Sequence, residues 1–259
     1  MKSGLKGKVV LVTGGAGGIG TQISKAFSEE GAKVIIHYHQ SEKNAEKLAN
    51  ELGCRAIKAD LTDSNQANSL FLQAIDMEGG IDVCIANAGF YPKQSTNLWN
   101  IDDERWNDTI NTNLSLTFNT SREFLKHASK TKQGSLVLVG STAGIYGEAG
   151  HSDYAAAKGA IISGLLNTLK NEVAQIGNGV RVNAVAPGWT LTDKKLKDSL
   201  DNSDVKKITS TMALKKLATP EDVANSIVML ASNKLSNHVT GQIIEIAGGM
   251  EGRQITGIK

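Results

Sequence analysis

The chain has 259 residues, of which 40% are hydrophobic and 21% are charged, and its formal net charge is +2. This composition is that of a globular protein, and the length suits one large α/β domain. The near-neutral charge, without a basic run, does not indicate a nucleic-acid partner. Cys54 and Cys84 belong to no CxxC motif or Cys/His cluster, so we expect reduced thiols and neither a disulfide nor a metal site.

The sequence contains no run of about eighteen apolar residues, so no transmembrane helix and no membrane partner are expected. The N-terminal segment leads directly into an apolar strand pattern, without the apolar core and small-residue cleavage site of a signal peptide. These features predict a cytoplasmic protein.

Short β-branched runs alternate along the chain with longer helical patterns. Strands are predicted at residues 8–13, 33–37, 55–59, 81–86, 135–139, 181–186 and 242–246. Several of these runs are apolar almost throughout, which is typical of parallel strands covered on both faces. Helices are predicted at residues 19–30, 41–52, 63–77, 102–129, 153–176 and 221–231. The fourth helix is expected to break near residues 111–113.

This alternation predicts an α/β fold over residues 1–259: a single-domain, doubly wound parallel sheet of about seven strands flanked by helices. Asp63 and Thr219 are candidate N-caps, and Pro220 suits a first helical position. Residues 189–217 form a polar, lysine-rich stretch without a clear strand, which is typical of a lid or binding loop. A merely solvated insertion is the alternative.

A glycine-rich turn follows the first predicted strand, with Gly14, Gly18 and Gly20 in GxxxGxG spacing. The first glycine allows a tight turn, the second a close approach of backbone amides to a pyrophosphate, and the third close packing of helix on sheet. The phosphate would lie at the positive end of the helix that begins near Ile19. A flexible loop is the alternative, but the strand–turn–helix context favours dinucleotide binding.

The turn TGGAGGIG resembles the TGxxxGxG turn of the short-chain dehydrogenase/reductase family. The resemblance continues in the family's order through Asp60 in ADLTD, Asn87-Ala88-Gly89, Asn113 in TNLS, Ser141 in GSTAG, Tyr154 and Lys158 in YAAAK, and Pro187-Gly188 followed by Thr192. It covers essentially the whole chain. It implies a Rossmann-type fold, a nicotinamide cofactor, interconversion of a carbonyl and an alcohol, and a homo-oligomer, either a dimer or a homotetramer.

The second predicted strand runs into HYHQS, residues 37–41. An NAD site usually has a carboxylate here, expected near Tyr38, and its absence removes a barrier to the 2′-phosphate of NADP. His39 and Ser41 could bind that phosphate. The run is similar to the HYHRS of pteridine reductases, where this turn meets the 2′-phosphate, although Gln40 replaces the arginine. We favour NADP(H), with NAD(H) left open; the alternative for His37 and His39 is an exposed strand end without a ligand role.

Further cofactor contacts are implied by the resemblance. Asp60 would accept a hydrogen bond from the adenine amino group, and the backbone of Leu61 would reach the ring. The small loop after the fourth strand would leave room for the adenine ribose; its residues are Asn87, Ala88 and Gly89. The end of the sixth strand would bind the nicotinamide carboxamide or the pyrophosphate, or would simply terminate the strand; its residues are Pro187, Gly188, Thr190 and Thr192.

Tyr154 and Lys158 are four positions apart, so on a helix they lie about 5–6 Å apart on one face. A free tyrosine has a pKa of about 10, and a nearby ammonium would lower that pKa. The resemblance makes Tyr154 the general acid/base and gives Lys158 the tuning of its pKa and the binding of the nicotinamide ribose. It assigns substrate positioning to Ser141 and a water-linked proton relay to Asn113. A serine hydrolase is disfavoured, since GSTAG is not a GxSxG elbow.

The overall pattern resembles that of 3-oxoacyl-carrier-protein reductases and their ketoreductase relatives. The expected substrate is therefore a small carbonyl compound or an acyl group on a carrier protein. A non-catalytic dinucleotide-binding sensor is the alternative. The predicted helix 153–176 is apolar on more than one face, which suggests a subunit interface or cover by helices of the same chain. Ala247 stands where the family usually has aspartate, which leaves the packing there open.

Overall fold

A computed structural model describes residues 3–192 and 202–250 of the chain. Seven strands form one sheet: β1 (Val9–Val12), β2 (Lys33–Tyr38), β3 (Arg55–Lys58), β4 (Val83–Ala86), β5 (Gln133–Val139), β6 (Gly179–Pro187) and β7 (Ile243–Ile246). Their order is β3-β2-β1-β4-β5-β6-β7, and every neighbouring pair is parallel. All seven predicted strands are confirmed, with ends shifted by at most two residues.

The helices are α1 (Gly18–Glu29), α2 (Glu42–Leu52), α3 (Ser64–Glu78), α4 (Asp103–Ile110), α5 (Leu116–Thr131), α6 (Ala143–Tyr146), α7 (Ser152–Gly159), α8 (Leu166–Glu172), α9 (Asn202–Thr209), α10 (Pro220–Ala231) and α11 (Asn233–Ser236). Both predicted N-caps are confirmed. Asp63 accepts from the first amides of α3, and Thr219 forms a capping box with Asp222 ahead of Pro220.

Two long helical stretches are interrupted by π-helical turns. The predicted break near residues 111–113 is found as the turn Asn111–Ser115 between α4 and α5. A second turn, Ala160–Leu165, separates α7 from α8 and was not predicted, because the apolar pattern of this stretch continues through it. Such turns are frequent at functional sites, and both adjoin the candidate site described below.

The sheet separates two apolar cores. Along β1, Val9 and Leu11 face one core and Val10 and Val12 face the other. The first core is covered by α3, α5 and α8, and the second by α1, α2 and α10. Full burial of each Leu, Ile, Val or Phe side chain contributes about 1.5–3 kcal/mol. The two covered faces confirm the predicted doubly wound, Rossmann-type α/β fold.

The strand order reverses direction at β1, which lies between β2 and β4. In open α/β sheets, ligands bind at such a switch point, outside the carboxyl ends of the strands. Thr13 ties the two strands together there, since its hydroxyl accepts from the amides of Asn87 and Ala88, each at 3.0 Å. The loops that carry the predicted site residues therefore open onto one crevice.

Residues 193–201 of the predicted loop 189–217 lie outside the described residues. The two ends of this loop meet in a short parallel bridge between Thr190 and Ala218, and α9 belongs to it. The lid assignment and the single-domain assignment for 1–259 stay predictions. Within residues 3–192 and 202–250, no helix has the length and apolar character needed to cross a membrane, and no cluster of His, Cys, Asp or Glu could hold a metal ion.

Candidate active site

The glycine-rich turn between β1 and α1 has no room for side chains. Gly14 adopts a left-handed φ of +60°, which favours glycine. A Cβ at Gly18 would lie 2.8 Å from Thr192 Cγ2, and a Cβ at Gly20 would lie 2.0 Å from the carbonyl oxygen of Gly14. The bare backbone at the start of α1 forms a cradle that fits a pyrophosphate, because helix N-terminal amides attract anions.

His37 holds this turn in place, so its interpretation as an exposed strand end is wrong. The ring is almost fully buried. Its Nδ1 accepts from the amide of Gly14 at 3.0 Å, and its Nε2 lies 3.0 Å from the carbonyl oxygen of Ala59, to which it donates. Burial lowers the pKa of His37 to about 4, so the ring is neutral and can accept from Gly14 at neutral pH.

The end of β2 lacks the ribose-binding carboxylate, as the sequence predicts at Tyr38. The Tyr38 ring is buried and its hydroxyl donates to Glu42 at 3.3 Å. His39 is exposed, and its Nε2 lies 3.9 Å from an Asp60 carboxylate oxygen. Ser41 precedes α2 and lines a cleft of about 320 Å³ together with Gln40, Glu42, Lys43 and Asn44. All five residues that line this cleft are polar or charged.

Asp60 and Leu61 follow β3 at the same edge. One Asp60 carboxylate oxygen accepts from the amide and hydroxyl of Thr62, at 2.9 and 2.7 Å. Burial raises the pKa of Asp60, but these bonds from Thr62 outweigh it and leave the pKa below its ordinary value. The Leu61 side chain is buried in the core and its carbonyl accepts from Asn119, so its backbone amide is the part left for a ligand.

The loop Asn87-Ala88-Gly89 lies directly against the glycine-rich turn. The Asn87 side-chain amide donates to the carbonyl oxygens of Thr13 and Gly14, at 2.9 and 3.2 Å. A Cβ at Gly14 would lie 3.1 Å from Ala88 Cα. These contacts bring the two predicted halves of the dinucleotide site together.

Asn113 lies in the π-helical turn and is fully buried. Its side-chain amide donates to the carbonyl oxygens of Phe90 and Thr109, and its Oδ1 accepts from the amide of Phe90 at 3.3 Å. A Cβ at Gly89 would lie 2.8 Å from Asn113 Oδ1 and 3.3 Å from Lys158 Nζ. The side chain therefore fixes the loop after β4, beside the lysine with which a relay was predicted.

Ser141 is placed by the turn after β5. The Thr142 amide donates to the Pro187 carbonyl oxygen at 3.1 Å, and the Ala143 amide donates to Ser141 Oγ at 3.1 Å. The hydroxyl oxygen is thus held as an acceptor, and its proton is available for a further bond. A Cβ at Gly144 would lie 2.6 Å from the Gly159 amide, so glycine lets α6 pack against α7 and brings Ser141 to Tyr154.

Tyr154 and Lys158 share one face of α7, as their spacing predicts. Lys158 Nζ lies 5.7 Å from the centroid of the Tyr154 ring. The ammonium is buried and donates to the Val139 carbonyl oxygen at 2.9 Å. An ammonium has three donors, so Lys158 retains donors for other groups at this edge of the sheet.

Burial is the largest cause of the pKa shifts of Tyr154 and Lys158. It raises the pKa of Tyr154 to about 12, while the Ser141 hydroxyl lowers that pKa and the negative charge of Glu148 raises it. The lowering of the Tyr154 pKa by Lys158 stays a prediction, since burial of the phenol is the largest influence on that pKa. Burial also lowers the pKa of Lys158 to about 8.

The end of β6 closes the crevice. The Gly188 amide donates to the Ile246 carbonyl oxygen at 3.0 Å, and a Cβ at Gly188 would lie 3.2 Å from Ala247 Cβ. Ala247 is buried there and fills the position where the family usually has aspartate. The Thr190 hydroxyl donates to the Gly188 carbonyl oxygen, whereas Thr192 lies against Gly18 and faces the glycine-rich turn.

Known proteins are similar to this chain along nearly its full length. A sequence profile described as Enoyl-(Acyl carrier protein) reductase matches residues 14–251. The 3-oxoacyl-[acyl-carrier-protein] reductase of Thermotoga maritima is 37% identical over 251 residues, 95% of this chain and 98% of that protein. The chain belongs to the short-chain dehydrogenase/reductase family.

Other members of the short-chain dehydrogenase/reductase family are similar to this chain to nearly the same degree. The proteins of the same name from Vibrio cholerae and Chlamydia muridarum are each 34% identical to this chain. The alignments cover 95% and 96% of it, and 98% and 100% of those proteins. The chain is thus a nicotinamide-dependent oxidoreductase that interconverts a carbonyl group and an alcohol. These similarities do not support the alternative of a non-catalytic sensor.

Some residues at this site of a short-chain dehydrogenase/reductase were missed by sequence reasoning. The contacts by which His37 holds the glycine-rich turn leave one trace in the sequence: a histidine inside an otherwise apolar strand pattern. Arg105 and the buried Asp153 form a partly buried ion pair at 2.9 Å beside Tyr154, and nothing in the local pattern of either residue indicates the other. Tyr91, on the loop after β4, contacts the Tyr154 ring directly, and nothing in its local sequence indicates that contact.

Proposed function

We propose that this protein reduces the 3-oxo group of an acyl thioester carried on acyl-carrier protein, with NADPH as the reductant. The observation that carries the proposal is the near-full-length similarity to several proteins named 3-oxoacyl-[acyl-carrier-protein] reductase, at 31–37% identity. The geometry supports it, because the residues suited to carbonyl reduction meet at the carboxyl edge of the sheet.

Tyr154 is the proton donor in this proposal. The bound cofactor supplies the hydride that reduces the carbonyl carbon. Negative charge then develops on the carbonyl oxygen, and a phenol within hydrogen-bond reach can donate its proton to that oxygen. A pKa of about 12 keeps the Tyr154 phenol protonated at neutral pH, which suits the direction of reduction.

The neighbouring residues have distinct tasks. The Ser141 hydroxyl donates a hydrogen bond to the carbonyl oxygen and holds it beside the Tyr154 hydroxyl. The Lys158 ammonium stabilises the phenolate that remains after proton transfer and binds the ribose of the cofactor. Asn113 fixes the loop at Phe90 and takes part in a water-linked relay that returns a proton from solvent, by way of Lys158, to the Tyr154 phenolate. The Lys158 charge is present below its pKa of about 8, so this stabilisation is available at neutral pH.

The preference for NADPH over NADH rests on the end of β2. No carboxylate occupies the Tyr38 position, so nothing at that position repels a 2′-phosphate. His39, Ser41 and Lys43 offer donors near that place. Glu42 lines the same cleft, and one of its carboxylate oxygens accepts from the Tyr38 hydroxyl at 3.3 Å.

The proposal also covers where the protein lies in the cell, how its chain is organised and how its subunits assemble. We place the protein in the cytoplasm and regard residues 1–259 as a single domain with a substrate lid around 189–217. We assign it a homo-oligomeric state, a homotetramer or a dimer. The apolar stretch 153–176 supports an interface only in part, because Ile161, Ile162 and Leu166 already lie in the first of the two internal cores.

The direct test measures NADPH oxidation with a short 3-oxoacyl thioester of acyl-carrier protein. We expect kcat/KM for the carrier-linked thioester to exceed that for a simple ketone by at least tenfold, which corresponds to about 1.4 kcal/mol. Replacing NADPH with NADH should lower kcat/KM. Turnover of other ketones without turnover of the thioester would contradict the proposed substrate, and a preference for NADH would contradict the proposed cofactor.

A further inference from the structure

Tyr91 lies between two rings at the mouth of the site. It stacks on His151, with ring centroids 4.7 Å apart and planes inclined by 21°. It also meets Tyr154 edge to face, with centroids 5.0 Å apart and planes at 85°. Tyr91 belongs to the loop after β4, whereas Tyr154 lies on α7 and His151 immediately before that helix. The contact therefore joins two segments distant in sequence at the ring of the proton donor.

Polar groups hold Tyr91 in this orientation. Its hydroxyl donates to a Glu148 carboxylate oxygen at 2.5 Å, and His151 Nδ1 lies 3.4 Å from the same hydroxyl. A hydrogen bond to a carboxylate is about twice as strong as one between neutral groups. His151 is buried, and its Nε2 donates to the Pro92 carbonyl oxygen at 3.1 Å. The Tyr91 ring is thus fixed at its hydroxyl end and on one face.

The backbone around Tyr91 is held without its side chain. The Thr96 amide donates to the Gly150 carbonyl oxygen at 2.9 Å. Arg105 donates to the carbonyl oxygens of Gln94 and Gly150, at 2.9 and 3.4 Å. These bonds fasten the loop 90–96 to the segment that precedes α7. Tyr91 is itself 40% exposed, so its ring contributes little to the core and can be altered without unfolding the loop.

We propose that Tyr91 is a positioning residue for the reaction: it fixes the ring of Tyr154 in the orientation for proton donation, and Glu148 and His151 in turn orient Tyr91. The physical reason is distance, because proton transfer requires the phenol to lie within hydrogen-bond reach of the carbonyl oxygen. A tyrosine side chain rotates about two bonds, and the edge contact of Tyr91 restricts that rotation at Tyr154. The proposal rests on the assignment of Tyr154 as proton donor.

The test compares Tyr91→Leu with Tyr91→Phe. The leucine variant loses the ring contact, and we expect its kcat to fall about tenfold, a loss typical of slight misplacement of a reacting group. Its KM for the carbonyl and its Kd for NADPH should stay near the wild-type values. The phenylalanine variant keeps the ring and should retain most of the activity, between the wild type and the leucine variant.

Two results would overturn the proposal. The first is a wild-type kcat in Tyr91→Leu. The second is a loss in kcat accompanied by weaker NADPH binding and a lower Tm. That combination would indicate a purely structural role. The assay uses a carbonyl compound that the wild type reduces, whether or not this is a 3-oxoacyl thioester. A wrong substrate assignment would therefore show in the wild type, and a wrong positioning role only in the variants.

Discussion

At the scale of single residues, the least expected feature is a buried histidine under the glycine-rich turn. His37 accepts from the Gly14 amide and donates to the Ala59 carbonyl oxygen. Its side chain thereby fixes the distance between the loops after β1 and β3. A position that sequence alone assigns to the strand end is in fact part of the support of the glycine-rich turn.

Replacement of His37 by phenylalanine keeps a ring but removes both hydrogen bonds. We expect NADPH to bind about tenfold more weakly to His37→Phe, a loss of about 1.4 kcal/mol, as measured by quenching of intrinsic fluorescence. Because the pKa of His37 is lowered to about 4 in the folded protein, the unfolded chain binds more protons between about pH 6.5 and 4. The free energy of unfolding should therefore fall as pH drops through this window, and less so in the variant.

The exposed His238 provides the control, because it precedes β7 and so lies at the edge of the sheet opposite the carboxyl ends of the strands. His238→Gln should bind NADPH like the wild type. Unchanged NADPH affinity in His37→Phe, together with the wild-type dependence of stability on pH, would show that His37 does not support the turn.

At the scale of elements, the position of α7 depends on a partner on α4. Asp153 is fully buried and accepts from Arg105 at 2.9 Å and from the Thr109 hydroxyl at 3.0 Å. Burial raises the pKa of Asp153, but the bonds from Arg105, the Tyr154 amide and Thr109 outweigh it and lower the pKa. These contacts attach the first turn of α7, and with it Tyr154, to the helix before the π-helical turn.

Asp153 is fully buried and Arg105 mostly so, and loss of one charge from such a pair is costly because the other is left unpaired. We expect Asp153→Asn to lower the free energy of unfolding by on the order of 3 kcal/mol, measured by urea denaturation. Glu78→Gln provides the matched control, since the Lys33–Glu78 pair is more exposed and such pairs contribute about 0–1 kcal/mol. Equal effects of the two substitutions would refute the role of the Arg105–Asp153 pair.

The elements also show how far sequence reasoning reaches. The strands were predictable because their apolar runs reflect burial on both faces, and the caps because Asp63 and Thr219 act locally. The π-helical turn Ala160–Leu165 could not be predicted, because an extra residue in a helical turn does not interrupt a continuous apolar pattern. Contacts such as Arg105–Asp153 and Tyr91–Tyr154 depend on the packing of distant segments, and neither residue of a pair specifies its partner.

At the scale of the whole molecule, the strand order collects the loops after β1, β3, β4, β5 and β6 along one edge of the sheet. The motifs were recognisable because each obeys a local rule, such as glycine where backbone must approach a phosphate. The pKa values of Tyr154 and Lys158 could not be predicted from the sequence, because they depend on burial by the complete fold. Burial by the fold therefore keeps the Tyr154 phenol protonated at neutral pH.

The most direct test of the account is the reaction catalysed by Tyr154→Phe, which retains the ring and removes the transferable proton. We expect NADPH to bind with nearly unchanged affinity and kcat for carbonyl reduction to fall by about 10²–10⁴, the usual contribution of a general acid. Wild-type turnover in this variant, with NADPH bound normally, would contradict the assignment of Tyr154 as the proton donor.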